Sequence, residues 1–574
     1  MKLILFYLFK HKKLFFINLF AVLLIASAEL GIPIIVAHII DQGIMINNFS
    51  LIEWFSILLI VVAITGALGN ILLNYCANRT AANILADIRN DLYSHVQTFS
   101  PKEMQELGVS TLLSRTMNDI FQINIFVATL YRSLILAPLM FIFSVVLIML
   151  RAPQLAVGLL IVIPVIVIIL ILVVKLTRKL SQRQQKQLDR LNLITRENLN
   201  GVRVIRAFRK SKYEQRRFKE INEGYTDTSI KLFRIMVSIE PMFFFLLNCS
   251  ILMLLFFGAR FLDTGMISIG QLVEFVDYQF HVMFSILTFS LIFIMFPRTM
   301  VSASRVKEVF DKVTSIKNNE HSLKIEQIQT VEFKNVSFRY PDAEEAVISN
   351  ISFKAKQGEV IAFVGSTGSG KSTLIQLIPR LYEATDGQIL INGIGIDEIN
   401  YYSLRSKIGF IPQKALLFDG SIRDNLAFGQ TEYNQLLIDQ AIEIAQAKEF
   451  IDNTELGLDH MIAEQGTNLS GGQKQRLSIA RALAINPDVF IFDDSFSALD
   501  YKTDFKLRQA LFDYKTKQIT FIVAQRLSTI KNADQILVLD QGKVVSSGKH
   551  MDLLKTCLIY REIAASQYFE EEVK

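Results

Sequence analysis

The chain is expected to fold as an all-α transmembrane domain of six long helices followed by an α/β domain of the P-loop type. Three observations in its 574 residues carry that expectation. Apolar residues make up 51% of the chain and mean hydropathy is +0.35, but the excess is confined to about the first 300 residues. From about 325 onward the composition is that of an ordinary soluble domain, with VEFKNVSFRY and ISFKAKQGEVIAFVG alternating in the manner of strands. Directly after the second run comes GSTGSGKST, a glycine-rich loop between an apolar strand and a helix. The expected organisation is a membrane domain over 1–310, a charged linker over 311–328 and a nucleotide domain over 329–574.

Six apolar stretches are candidate spans: about 14–40, 54–75, 128–150, 155–175, 238–260 and 271–298. Each approaches or exceeds the ~20 residues that cross a hydrocarbon core. The third and fourth are separated only by RAPQL, which predicts a tight hairpin. Gly31 and Pro33 interrupt the first and predict a local kink. The polar segments at about 76–127 and 176–237 read as helical extensions of the spans, on the order of 30 Å long for twenty residues.

Basic residues set the expected orientation. The segment between spans four and five is loaded with Lys and Arg, whereas DQGIMINNFS after the first span has none. The positive-inside rule therefore predicts a multi-pass protein with both termini in the cytosol. Trp54, the only tryptophan, falls where the second span meets the outer interface. The N-terminal MKLILFYLFKHKK does not read as a cleavable signal. It reads either as an amphipathic helix, with Lys10, Lys12 and Lys13 near lipid phosphates, or as a leader to the first span. The net charge of +6 gives no reason to expect a nucleic-acid partner. Cys76, Cys249 and Cys557 are far apart and form neither a metal motif nor a disulfide framework.

The chemistry is concentrated in the second half. GSTGSGKST, at 365–373, matches G-x-x-x-x-G-K-[ST]. Its glycines let backbone N–H groups approach phosphate oxygens with no Cβ in the way. Gly365, Ser366, Thr367, Gly368, Ser369, Gly370 and Thr373 are therefore expected around ATP, with Lys371 facing the β- and γ-phosphates and the Ser372 hydroxyl facing Mg²⁺. The apolar strand DVFIF delivers Asp493, the expected second holder of Mg²⁺.

Between these lies LSGGQKQR, at 469–476, and with it the chain resembles an ABC transporter subunit, a family whose signature is LSGGQ. The resemblance runs over almost the whole chain and is to an exporter half-transporter. ENLNGVRVIRAF and SASRVKEVF also resemble exporter sequence. It implies that Tyr340 stacks on adenine, that Gln413 contacts Mg²⁺, and that Asp500 communicates across a dimer. It implies that AEQG, at 463–466, touches the partner's long helices, and that Ser470, Gly471, Gly472 and Gln473 close over nucleotide held by a second half-transporter. Segments near 105–110 and 209–214 resemble the turns that dock on the ATP domains.

Two positions depart from the family pattern. A Glu usually follows the Mg²⁺ aspartate as catalytic base, and here it is Asp494; a His usually stands in the later switch loop, and here it is Gln525. Asp is one methylene shorter, and a displacement of ~1 Å at a base costs on the order of 100-fold. Gln donates a hydrogen bond but carries no charge. Both departures belong to the chain's own ATP site, whereas LSGGQ is intact. The expectation is a heterodimer with one impaired and one competent site, similar to bacterial heterodimeric multidrug exporters in the plasma membrane. The resemblance also admits a lipid or peptide exporter, or a homodimer with atypical catalytic residues.

For the transported compound, four ionisable residues within spans are candidates: Glu29 in the first, and Glu274, Asp277 and His281 in the sixth. The last three, at i, i+3 and i+7, fall on one helical face, which predicts attraction of cationic amphipathic drugs. The phenylalanines, 43 in all, suit an apolar cavity or a lipid-facing surface, and membrane lipid is the other expected neighbour.

Overall fold

The computed structural model describes residues 1–574 except 152, 319, 320, 342, 431, 515, 516 and 572–574. Two compact units form: Met1–Gln97 with Ser110–Asp311, and Thr98–Val109 with Lys312–Lys574.

The first unit is helical. It comprises α1 (Lys2–Lys10), α2 (Lys12–His38) and α3 (Phe49–Val96); the short α4 (Pro101–Leu107) belongs to the second unit. Then follow α5 (Val109–Ser114), α6 (Ile120–Ser133), α7 (Leu136–Arg151), α8 (Pro153–Asn200), α9 (Val202–Ala207), α10 (Ser211–Asp263) and α11 (Ile269–Asp311). Among the described residues, five helical stretches are long and apolar enough to cross a membrane: Lys12–Ile44, Phe49–Val96, Val109–Arg151, Ser211–Asp263 and Ile269–Asp311. The fourth stretch read from the sequence falls in α8, where the side chains at 157–162, 170 and 174 lie outside the described residues. At ~1.5 Å per residue, the 48 residues of α3 and the 53 of α10 reach well beyond a hydrocarbon core ~30 Å thick.

Helix α2 runs through Pro33 without ending, and the irregularity comes later, as a π-helical turn over Ile39–Ile44. Helices α2 and α3 approach closely because α3 offers glycine where α2 arrives. A Cβ on Gly69 would stand 3.0 Å from Ile25 Cγ1 and 3.2 Å from the Ile25 backbone nitrogen. Helix α3 starts at Asn48, whose side chain accepts from Leu51 N. Helix α1 is pinned to the far end of α3: Tyr7 donates to Asp91 Oδ2 at 2.7 Å and Lys10 pairs with Asp87 at 3.1 Å.

Among its described residues the second unit carries twelve strands: β1 (Thr330–Phe338), β2 (Ile348–Lys356), β3 (Val360–Gly365), β4 (Asp386–Ile391), β5 (Ile394–Gly395), β6 (Ile408–Ile411), β7 (Gly420–Ser421), β8 (Met461–Ile462), β9 (Val489–Asp493), β10 (Ile519–Val523), β11 (Gln535–Asp540) and β12 (Lys543–Gly548). They make an antiparallel sheet β2-β1-β4-β5, a sheet β12-β11-β3-β10-β9-β6 and a small pair β7-β8. In the large sheet β11, β3, β10, β9 and β6 are parallel, and β3, β9 and β10 are buried on both faces and mostly apolar, as strands covered on two sides are. One core lies between this sheet and the helices beyond it, a second between it and the antiparallel sheet.

Candidate nucleotide site

Parallel strands place their carboxyl ends along one edge, and a ligand crevice forms there. The strand order determines which residues meet. Strand β3 ends in the phosphate loop, β10 leads into Gln525, β9 ends at Asp493 and Asp494, and β6 leads into Gln413. In register, Val523 faces both Phe363 and Asp493, and Ile411 faces Phe492. Four stretches separated by up to 160 residues of chain thus deliver polar side chains to one edge.

The phosphate loop runs from β3 into α12 (Lys371–Leu377). Gly370 has φ +93°, and a Cβ there would stand 2.6 Å from Ile348 Cγ2 and 2.8 Å from Val347 O. Glycine is required on both counts. Lys371 Nζ donates to Gly365 O at 2.9 Å, Ser366 O at 2.7 Å and Ser369 Oγ at 3.2 Å. Burial pushes the lysine's pKa down, and the charges of Asp494 and Asp493 pull it back up. Ser366, Thr367 and Gly368 are exposed, and Ser369, Gly370 and Thr373 are buried. Tyr340 lies against this loop, its hydroxyl 3.2 Å from Thr373 Oγ1 and its ring edge-on to Phe338 and Tyr382.

Ser372 Oγ donates to Asp493 Oδ1 at 2.8 Å. Burial raises the Asp493 carboxyl above the usual range, and the neighbouring Asp494 adds to the rise. A hydroxyl and a buried carboxylate suit a hard cation that takes oxygen donors. Among the described residues no group of three His, Cys, Asp or Glu could cage a metal by itself. That composition fits Mg²⁺, which is commonly held by one or two carboxylates together with substrate phosphates.

Asp494 is 7% exposed, and burial pushes its carboxyl up. One oxygen, Oδ2, accepts from Gln525 Nε2 at 2.9 Å and from Gln413 Nε2 at 3.3 Å. Both residues that depart from the family pattern therefore touch each other, and Gln413 joins them rather than Asp493. The Asp494 backbone N–H donates to Val523 O at 2.9 Å, fixing the acid to the strand that leads to Gln525. The sequence reading missed Ser495 and Ser497, which anchor this turn through Ile411 O at 3.3 Å and Asp494 O at 2.9 Å. The signal was present: short hydroxyl residues right after a strand end favour such local bonds.

LSGGQ occupies the exposed start of a 13-residue helix, Gly471–Leu483. Ser470 accepts from Gln473 N, and Gln473 Oε1 accepts from Ser470 N at 2.8 Å, a reciprocal cap. A Cβ on Gly471 would meet nothing within 4 Å, and one on Gly472 would approach only to 3.6 Å. Asp500 is exposed and caps the next helix through Thr503 N at 3.0 Å, a bond that holds its carboxyl below the usual range.

The four intramembrane residues differ in burial and in partner. Glu274 is 1% exposed, with Arg151 Nε at 3.9 Å; Asp277 is exposed; His281 has Glu29 at 3.9 Å. Their spacing does align them along α11. The edge of the buried stripe nevertheless passes between Glu274 and Asp277, so the expected common face divides.

Fold and site together define a membrane-embedded P-loop ATPase. Residues 15–295 match the ABC transporter transmembrane region, and residues 348–497 match the ABC transporter family. The uncharacterized ABC transporter ATP-binding protein YfiB of Bacillus subtilis is 33% identical over 545 residues, 95% of each chain. The ATP-dependent lipid A-core flippase of Syntrophus aciditrophicus is 31% identical over 568 residues, 98% of this chain and 94% of its own. A bacterial Atm1-family ABC exporter solved with ATP bound shares the fold, with a TM-score of 0.82 over 96% of this chain and 97% of that one at 22% identity. The chain belongs to the ABC transporter family, and it is an ATP-driven exporter subunit whose ATPase domain couples hydrolysis to transport.

Proposed function

We propose that this chain is the hydrolysis-impaired half of a heterodimeric exporter of hydrophobic or amphipathic compounds. The observation that supports this most directly is the convergence of two amide donors on Asp494 Oδ2. The acid reaches ~1 Å less far than a glutamate, and it is tied back by groups that carry no charge. Binding is a separate matter. Lys371 and the loop N–H groups would face the phosphates, Tyr340 would stack on the adenine, and Ser372, Asp493 and the Gln413 carbonyl oxygen would hold Mg²⁺, which would neutralise phosphate charge. The exposed Ser470 and Gly471 and the half-buried Gly472 and Gln473 close over nucleotide on the partner half-transporter, with Asp500 beside them, and complete the competent site. Both termini lie in the cytosol and the spans in the plasma membrane.

ATPase activity separates this reading from a homodimer. The purified chain alone should bind ATP yet turn over slowly, and addition of its partner should restore turnover. Brisk hydrolysis by the chain alone overturns the proposal.

A cavity of about 690 Å³ between α7, α8 and α11 supports an apolar cargo. Phe141, Ile142, Phe289 and Phe293 line it, and none of Glu29, Glu274, Asp277 and His281 does. A lipid cargo is the second reading. The uncharged lining and the similarity to a protein named as a lipid A-core flippase favour it. Reconstituted vesicles given a fluorescent lipid or a neutral dye distinguish the two by which compound moves on ATP addition.

A further inference from the structure

Outside the nucleotide site, one buried carboxylate joins two distant parts of the chain. Glu103 in α4 is 1% exposed. Its Oε2 accepts from Ser100 N at 2.8 Å and from Ser100 Oγ at 2.6 Å. Its Oε1 accepts from Ser315 N at 3.1 Å, across 212 residues of sequence. Ser100 Oγ and Ser315 Oγ stand 3.0 Å apart, and Lys312 pairs with Glu106 one helical turn on. Burial raises the Glu103 carboxyl, but the donors on Ser100 and Ser315 more than offset this and hold it below the usual range.

A simple helix cap explains only half of this arrangement. Ser100 and Glu103 form a capping box at the start of α4, a common local device. A cap leaves the second carboxylate oxygen to solvent. Here that oxygen is buried and committed to the backbone just beyond α11, the last span. The same stretches of sequence pair again within the first unit: Ser302 donates to Asp119 at 2.7 Å, and Arg115 binds Glu308 at 2.9 Å and Arg305 O at 3.1 Å. Later residues of the loop thus meet earlier residues of the α11 end, in antiparallel sequence order.

We propose that Glu103 is a positioning residue of the transport cycle, a clasp that makes residues 98–109 and the linker start at 312–315 move as one piece. The loop between the second and third spans then follows the chain's own linker at every step. This holds whichever half of the exporter hydrolyses ATP.

The test uses the full-length chain in membrane vesicles, lacking Cys76, Cys249 and Cys557, with one cysteine in α11 whose maleimide labelling responds to ATP in that parent protein. E103A should reduce the ATP-induced change in labelling about tenfold, the size of a typical coupling between sites, while fluorescent-ATP affinity stays unchanged. E103Q should fall between, because an amide keeps one acceptor oxygen where the carboxylate has two. In the E103A background, an oxidised S100C/S315C cross-link should restore the response, and reduction should abolish it again. The proposal fails if E103A responds like the parent, if the cross-link does not form, or if it forms and leaves the response absent.

Discussion

Asp494 adopts φ +47°, in the left-handed region that Asp and Asn tolerate better than other side chains. The shorter acid therefore suits its backbone even as it shortens the reach of the site. Asp494→Glu should raise single-turnover hydrolysis at this site, by up to about 100-fold when combined with Gln525→His, as read by release of labelled phosphate. It should also cost about 1 kcal/mol in denaturant titrations, because glutamate gains no local hydrogen bond in that conformation. Asp493 has a pH signature. Its carboxyl is raised by burial, so the folded chain holds this proton to higher pH than the unfolded chain does. Stability of the nucleotide-free protein is therefore lost as pH rises from the ordinary aspartate value, about 3.9, through the folded value. Asp493→Asn should melt higher than the parent at neutral pH, should lose that advantage near pH ~4, and should forfeit the stabilisation that Mg²⁺–ATP confers on the parent.

Single elements show what was legible in the sequence and what was not. The phosphate loop was readable because its chemistry is local: glycine spacing, one lysine and one serine suffice. The convergence of Gln413, Asp494 and Gln525 was not, because it depends on β6 lying beside β9 and β9 beside β10. The Glu103 clasp was hidden for the same reason, its two sides lying 212 residues apart. Gly31 and Pro33 pointed to a local kink; α2 continues through both as one helix, and the π-helical turn at Ile39–Ile44 that follows carries no such mark in the sequence. Two elements give direct tests. Ser470→Ala removes the cap of the signature helix and should cost about 1 kcal/mol in chemical unfolding. It should also slow hydrolysis by the assembled pair more than it affects ATP binding to this chain. Gly69→Leu drives a side chain into Ile25 across α2 and α3 and should cost roughly 1–3 kcal/mol, seen as a lower melting temperature in detergent.

For the whole molecule, the division into a membrane half and an α/β half was legible from composition, because a lipid solvent and a water solvent select different surfaces. Which intramembrane acids are buried was not, since helical spacing fixes direction along α11 but not the edge of burial at Glu274 and Asp277. The grip of two amides on Asp494 has one more consequence, which concerns time. A site that binds nucleotide and hydrolyses it slowly exchanges it only as fast as the nucleotide leaves. In the proposed heterodimer, one ATP would then stay through many rounds of its neighbour's turnover, keeping the pair together between strokes. Labelled ATP chased with excess unlabelled ATP should leave this chain in a slow phase and the partner in a fast one.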